Sequence, residues 1–288
     1  MSKKAKWGTQ EFTGRLFKFY MQQCDLIEEL YQFQFNSQKK NKNQRVESLY
    51  LLLYSMHDTA SSIGMLSVNQ KINESYMLAR ALVEKIINYI YLLFCDEEDY
   101  ERYLSYTKQK GYRNLKKDIK VGELIAELKW SGDFNLNNDP ELKRAVELFT
   151  SEKKRKPITR WRNLKIEEML DSIAKRSGLN IKMLMLAMLA IYDDASEALH
   201  GTLYGTIFYI GLFSGGSLKT KGEIISSVHG QLSLLYMALG GCIDSLLEAV
   251  NKVFPIEPII KKSKENYDGL SVLDDESKGK QKGWNVKV

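Results

Sequence analysis

The chain has 288 residues, 44% of them hydrophobic and 27% charged, with 42 Lys and Arg against 36 Asp and Glu. That balance excludes a wholly disordered or collagen-like chain and leaves room for one large core or two smaller ones. The 4 prolines and 19 glycines argue against a turn-rich all-β fold, and a net charge of +6 is far from that of a histone-like nucleic-acid binder.

Residues 9–35 carry Phe12, Leu16, Phe19, Tyr20, Leu26, Ile27, Leu30 and Tyr31. Steps of three and four predict an amphipathic helix. A polar break at 36–44 separates it from a second helix, from about Arg45 to Leu66. A third runs from about Asn73 to Cys95 with Tyr76, Leu78, Ala79, Leu82, Val83, Ile86, Ile87, Ile90 and Tyr91. Asp96-Glu97-Glu98-Asp99 is an acidic helix start, since carboxylates favour the positive end of the helix dipole. The helix it opens is expected to run towards Lys117.

Residues 118–165 read as an insertion of short helical pieces broken by Gly122, Ser131-Gly132-Asp133 and Asn137-Asn138-Asp139-Pro140. Asp139-Pro140 is a helix opening, with Asp capping and Pro in the first turn. The insertion ends in a basic segment, 153–165, whose Lys153, Lys154, Arg155, Lys156, Arg160, Arg162 and Lys165 meet no acid. A helix at 166–177 closes at Gly178. A long helix follows over Asn180–Gly201, then apolar helices over 203–213 and 222–253, stopped by Pro255 and Pro258. Residues 254–288 are expected to form a mobile tail. No segment alternates convincingly with period two. The fold class is all-α: a helical bundle over 45–253, preceded by an N-terminal helix and polar break (1–44) and interrupted by the insertion.

Gly201–Leu218 and Ile224–Ile243 lack Asp, Glu, Lys and Arg over 18 and 20 residues. The first holds five glycines; the second holds His229, Gln231 and three serines. A buried helical hairpin explains both better than membrane spans do, so no membrane partner is expected. Cys24, Cys95 and Cys242 form no CxxC and number three, so neither a disulfide framework nor a structural zinc site follows. Each lies among apolar neighbours, which predicts reduced, buried thiols in a cytoplasmic protein.

Core helices normally exclude ionisable side chains, so the informative groups are the polar ones on apolar helices. Arg80 and Glu84 stand four apart and can pair on one face. Tyr192, Ser196 and His200 stand four apart and line one side of another helix. His57 lies between Tyr54 and Ala60-Ser61 on the second helix. If these helices are neighbours, His57, Arg80, Glu84, Tyr192, Ser196 and His200 converge as a candidate catalytic set. The competing reading is a buried Arg–Glu pair that fixes helix register, with His200 bonded to a carbonyl; breaking such a pair costs about 3–5 kcal/mol.

Arg80-x-x-x-Glu84, Trp161, Gly178-Leu179 and Tyr192-x-x-x-Ser196-x-x-x-His200-Gly201 together resemble the bacterial domain of unknown function 5677, over roughly residues 45–250. The resemblance implies an all-helical bundle of the kind compared with HEPN domains, pairing as a homodimer, with a role in stress or phage defence. HEPN ribonucleases carry Arg, four to six residues, then His on one helix. No Arg lies five to seven positions before His57, His200 or His229, and Ser196 stands four before His200. The ribonuclease motif is absent in its usual form.

Metal-independent RNA cleavage needs a base near the ribose 2′-hydroxyl and a cation near the phosphate. His200 and Arg80 supply these types, with Tyr192 or Ser196 to position phosphate oxygens. Lys153, Lys154, Arg155, Lys156, Arg160 and Arg162 are candidate RNA-backbone contacts, and Trp161 a candidate base-stacking ring; the alternative is a solvated loop. A di-iron bundle needs two Glu-x-x-His motifs, and Glu197-x-x-His200 is alone. A mononuclear site from His57, Glu84 and His200 is the remaining metal alternative. No phosphate-binding glycine loop, GxSxG or HExxH occurs, so no cofactor is expected. The leading reading is an RNA-binding or RNA-cleaving helical protein; the alternative is a non-enzymatic interaction module.

Overall fold

A computed structural model describes residues 6–37, 44–132, 136–151, 153, 156–207 and 220–270. The fold is predominantly helical. The chain divides into two compact units, one of residues 1–94 and 169–288, the other of 95–168.

In the first unit, α1 (Gln10–Ser37), α2 (Gln44–Val68), α3 (Ile72–Phe94) and α10 (Lys221–Val253) form a closed ring. α1 packs on α2 and α10, and α3 packs on the same two. Apolar spacing puts Leu16, Phe19, Tyr20, Ile27 and Leu30 of α1 into this core, with Leu53, Met56 and Ala60 of α2 and Leu235, Leu239 and Leu246 of α10. Buried Tyr20 and Tyr76 keep their hydroxyls bonded, as burial favours. Tyr20 stacks on Tyr236 at 5.5 Å and donates to the Ala60 carbonyl at 2.7 Å. Tyr76 donates to the Gln231 carbonyl at 3.1 Å.

Gly240 and Gly241 set the closest approaches. A Cβ on Gly240 would drive into the Phe19 ring of α1, and one on Gly241 into Met183 of the next helix. That helix runs continuously over α7 (Lys182–Ala187), a π turn (Met188–Tyr192) and α8 (Asp193–Leu199), and packs on α10 and α3. The expected single helix over 180–201 is therefore present, with one wider turn inside it. α6 (Ile166–Ser177) precedes it and ends at Gly178, whose φ is +63°. α9 (Leu203–Ile207) is the described part of the helix expected over 203–213; 208–213 and the glycine turn after it lie outside the described residues. Thr220 opens α10 with a reciprocal capping box to Glu223. α10 is long and apolar enough to cross a membrane, but most of that stretch is buried inside the bundle.

The expected tail over 254–288 needs correction. Glu257–Leu270 is a helix, α11, packed on α1 and α10. Pro258 stands in its first turn, where a missing N–H costs nothing, so it begins a helix rather than ending one. Ile256 and Ile259 are buried, and Ser263 donates to Asp244 at 2.8 Å. Residues 271–288 lie outside the described residues.

The second unit holds α4 (Glu97–Asn114), β1 (Lys116–Val121), β2 (Leu124–Lys129) and α5 (Pro140–Leu148). Asp96 caps α4 by accepting from the Asp99 N–H at 3.0 Å, and Asp139 caps α5 by accepting from Leu142 at 2.9 Å. Both starts are as the sequence predicts. Arg113 closes the end of α5, with Nη2 reaching the Val146 carbonyl and Thr150 Oγ1. Helical pieces were expected after residue 118, but 116–129 is an antiparallel hairpin. Its alternation is present in Ile119 and Val121, then Leu124, Ala126 and Leu128, and Gly122 at φ +60° supplies the turn. The lysines interleaved with it mask the pattern. The insertion expected over 118–165 is part of a unit that begins at residue 95.

Two expected outcomes follow. Gly240→Ala overpacks the Phe19 contact and lowers stability in denaturant by about 1–3 kcal/mol. Burial pushes the Cys24 and Cys242 thiols up to about 12, and Cys95 is buried as well. At neutral pH the native protein should leave Ellman's reagent almost unreacted, with all three thiols titrating only after unfolding.

Candidate functional site

α3 is almost wholly apolar on its buried faces, and Arg80 and Glu84 share the stripe beside them. The π turn ends at Tyr192, so the extra residue of that turn sits directly before the side chain that meets α3. Such turns recur at functional positions because they re-aim a helix face. Arg80 Nη1 donates to Ser196 Oγ at 2.6 Å and Nη2 to the Tyr192 hydroxyl at 3.2 Å. The Tyr192 hydroxyl in turn donates to Glu84 Oε1 at 2.7 Å. Arg80 Nε lies 3.6 Å from the same carboxylate, and the guanidinium carbon lies 4.4 Å from the Tyr192 ring centroid. Four of the six expected catalytic residues therefore form one cluster.

The cluster is not sealed. The Arg80 and Glu84 side chains keep 22% and 34% of their exposure. Burial and the hydrogen bond to Glu84 raise Tyr192 above the usual phenol range, so it stays a donor at neutral pH. The net charge is zero: one guanidinium, one carboxylate and two hydroxyls. The fully buried ion pair of the sequence reading is thus half-open, and its rupture costs less.

The two histidines do not join. His57 belongs to the α1–α2 side, with Nε2 3.7 Å from Glu28 and 3.3 Å from Ser61 Oγ. It was expected to converge with Arg80; the face of α2 that carries it turns to α1 instead. His200 is the residue after α8 and is exposed. The helix ends there because Gly201, at φ +66°, takes the left-handed conformation. Among the described residues the His200 ring makes no hydrogen bond to the cluster. Gly205 then folds α9 back, since a Cβ there would meet the Glu197 backbone. Among the described residues no group of three or more His, Cys, Asp or Glu side chains is placed to hold a metal ion, and His57 and His200 stay apart from Glu84.

One further charged residue of α3 is placed by the structure alone. Lys85 reaches α2, where its ammonium donates to the Ser55 carbonyl at 3.1 Å, Ser55 Oγ at 2.8 Å and Thr59 Oγ1 at 2.7 Å. Burial lowers its pKa. The signal is a lysine one step after Glu84, the last charged residue before the apolar second half of the helix.

The basic segment lies in the other unit. Lys153, Lys156 and Arg160 are exposed, Arg162 is half-buried, and Lys154 and Arg155 lie outside the described residues. Trp161 is corrected as a free stacking platform. Its ring packs edge-on against Tyr103 at 5.3 Å, and its carbonyl accepts from Arg102 at 2.8 Å. Tyr106 likewise donates to the Thr159 carbonyl at 2.8 Å. The segment is strapped to α4 through its backbone.

A half-open cluster of paired opposite charges on a helical scaffold defines a class of site, not an activity. The model of a family of unknown function, DUF5677, matches residues 46–217, and the chain belongs to that family. No curated protein and no solved structure matches it.

Partial exposure fixes the expected energetics. Glu84→Ala should cost about 1 kcal/mol in chemical denaturation, because solvent already screens the pair. Tyr192→Phe removes one donor and should cost about 1 kcal/mol as well. A loss of several kcal/mol in either variant would place the cluster in the sealed core.

Proposed function

We propose that the protein binds RNA, with Arg80 taking a backbone phosphate and Glu84 accepting from the adjacent ribose 2′-hydroxyl. The observation that carries this reading is the half-open Arg80–Glu84 pair at 3.6 Å. A ribonucleotide presents a hydroxyl donor beside an anionic phosphate, and the pair presents a carboxylate acceptor beside a guanidinium donor. DNA lacks the hydroxyl, so the arrangement distinguishes the two. Ser196 and Tyr192 hold the guanidinium in place without neutralising it. Exposed Lys153, Lys156 and Arg160 offer sequence-independent phosphate contacts. In this reading the ligand is cytoplasmic RNA, met in stress or phage defence. Binding is better supported than cleavage, because neither histidine reaches the cluster.

Fluorescence anisotropy with single-stranded RNA, and with DNA of the same sequence, tests it. Wild type should prefer RNA. Arg80→Ala should weaken RNA binding by about tenfold, the loss of one charge-assisted contact. Glu84→Gln should narrow the gap between RNA and DNA. Equal affinity for RNA and DNA, or an unchanged affinity in Arg80→Ala, rejects the reading. Incubating RNA with wild type, Arg80→Ala and His200→Ala tests the catalytic form, and equal turnover in all three removes it.

A second reading is a structural pin between α3 and α8 in an interaction module. It is favoured by the hydrogen bonds from Arg80 Nη1, Arg80 Nη2 and the Tyr192 hydroxyl, each made within the protein. If Arg80→Ala lowers the melting temperature and leaves RNA affinity untouched, this reading stands.

A further inference from the structure

The hairpin of the second unit carries an unsolved problem of its own. A two-stranded ribbon alone is marginal in water, and three or more strands with an apolar face are needed for stability. Ile119, Val121, Leu124, Ala126 and Leu128 share one face by the register of the strands. All twelve strand positions are exposed, with Ile119 at 63% and Leu124 at 78%. No other described element covers that face. Both outer edges also carry unpaired backbone groups, which is the usual template for strand addition.

We propose that the hairpin is a self-association arm, in which β1 pairs antiparallel with β1 of a second copy about a two-fold axis at Ile119. Two independent phases agree on this register. The first is the hydrogen-bond phase. The Trp130 N–H donates to the Leu115 carbonyl at 2.8 Å, so odd-numbered residues of β1 point their backbone groups inward to β2. Lys116, Asp118 and Lys120 therefore point theirs outward. Pairing about Ile119 sets Asp118 opposite Lys120 of the second copy, and both present outward groups.

The second is the charge phase. Each Asp118 meets a lysine in that register, twice per dimer, and Ile119 meets its own copy on the apolar face. Sliding by two residues sets Lys120 against Lys120, or Lys116 against Lys120, and like charges directly opposite destabilise a sheet. β2 is the less suitable edge, because Glu127 already bridges Lys116 at 3.0 Å and Lys129 at 3.2 Å. Among the described residues Asp118 and Lys120 make no ion pair. The product is a four-stranded sheet in the order β2–β1–β1–β2, isologous as a two-fold interface must be.

The full-length chain is measured by sedimentation velocity over a concentration series. A dimer is expected for wild type. Lys120→Pro deletes an outward N–H and leaves the inner ladder intact, so it should weaken dimerisation at least about tenfold while keeping the helical circular-dichroism spectrum. Asp118→Lys should do the same by setting lysine against lysine. The double variant Asp118→Lys with Lys120→Asp should restore the dimer. Ile119→Cys places two thiols across the axis at a Cα spacing of about 4.5 Å, within disulfide reach, and should yield a reducible covalent dimer. Leu124→Cys, on the outer strand, should not. A monomer at all concentrations overturns the proposal. So does a dimer that ignores both Lys120→Pro and the charge swap, and so does a monomer captured by anionic vesicles through the same face.

Discussion

The close approach at Gly240 and Gly241 governs the first unit. Two successive residues without side chains let α10 touch Phe19 of α1 on one side and Met183 of α7 on the other. A methyl group at either place would push one neighbour outward. Among the described residues the long helices that the α7–α8 helix packs on are α10 and α3, so its distance from α3 depends on this seam. The position of Tyr192 and Ser196 over Arg80 depends on it in turn. A packing constraint with no chemistry of its own thus sets the geometry of the polar cluster.

α3 also shows how a bundle accommodates charge with neutral hydroxyls. Its guanidinium is met by Ser196 and Tyr192, and its ammonium by Ser55 and Thr59. Hydroxyls from the flanking helices solvate both cations. Glu84 lies 3.6 Å from the Arg80 guanidinium, and the Tyr192 hydroxyl bridges the two. Neutral donors and acceptors of this kind fix orientation at a smaller desolvation cost than a second buried charge would. The guanidinium keeps its charge and part of its exposure, which are the two properties a site for an anion needs.

Helix spacing in the sequence carried most of the fold. The helices over 9–35 and 73–95, the Asp96 and Asp139 caps and the Gly178 stop are all legible, because each rests on local physics. Arg80, Glu84, Tyr192 and Ser196 were legible as a group for the same reason: i, i+4 spacing on apolar helices fixes a shared face. What failed was tertiary. His57 shares its helix with residues facing α3, yet its own face meets α1, and spacing within one helix cannot choose between neighbours. His200 was assigned to a helix that Gly201 ends one residue earlier. The hairpin was hidden because Lys116, Lys117 and Lys120 dilute its alternation, and the α11 helix because Pro258 is ambiguous between a stop and a first turn. The π turn has no signal in the residues that form it.

The ring of α1, α2, α3 and α10 bears on what the family boundary means. The matched stretch, 46–217, contains most of α2, and α3 through α9, but neither α1 nor α10. Those two helices are half of the ring: α10 packs on α3, where Tyr76 bonds Gln231, and α1 packs on α2. A fragment cut at the limits of sequence similarity would open the hydrophobic core along two sides and expose it to solvent. In this chain the stretch that the family model matches is therefore smaller than the ring that closes the core, and the helix carrying Arg80 and Glu84 rests on a partner, α10, that lies outside the match.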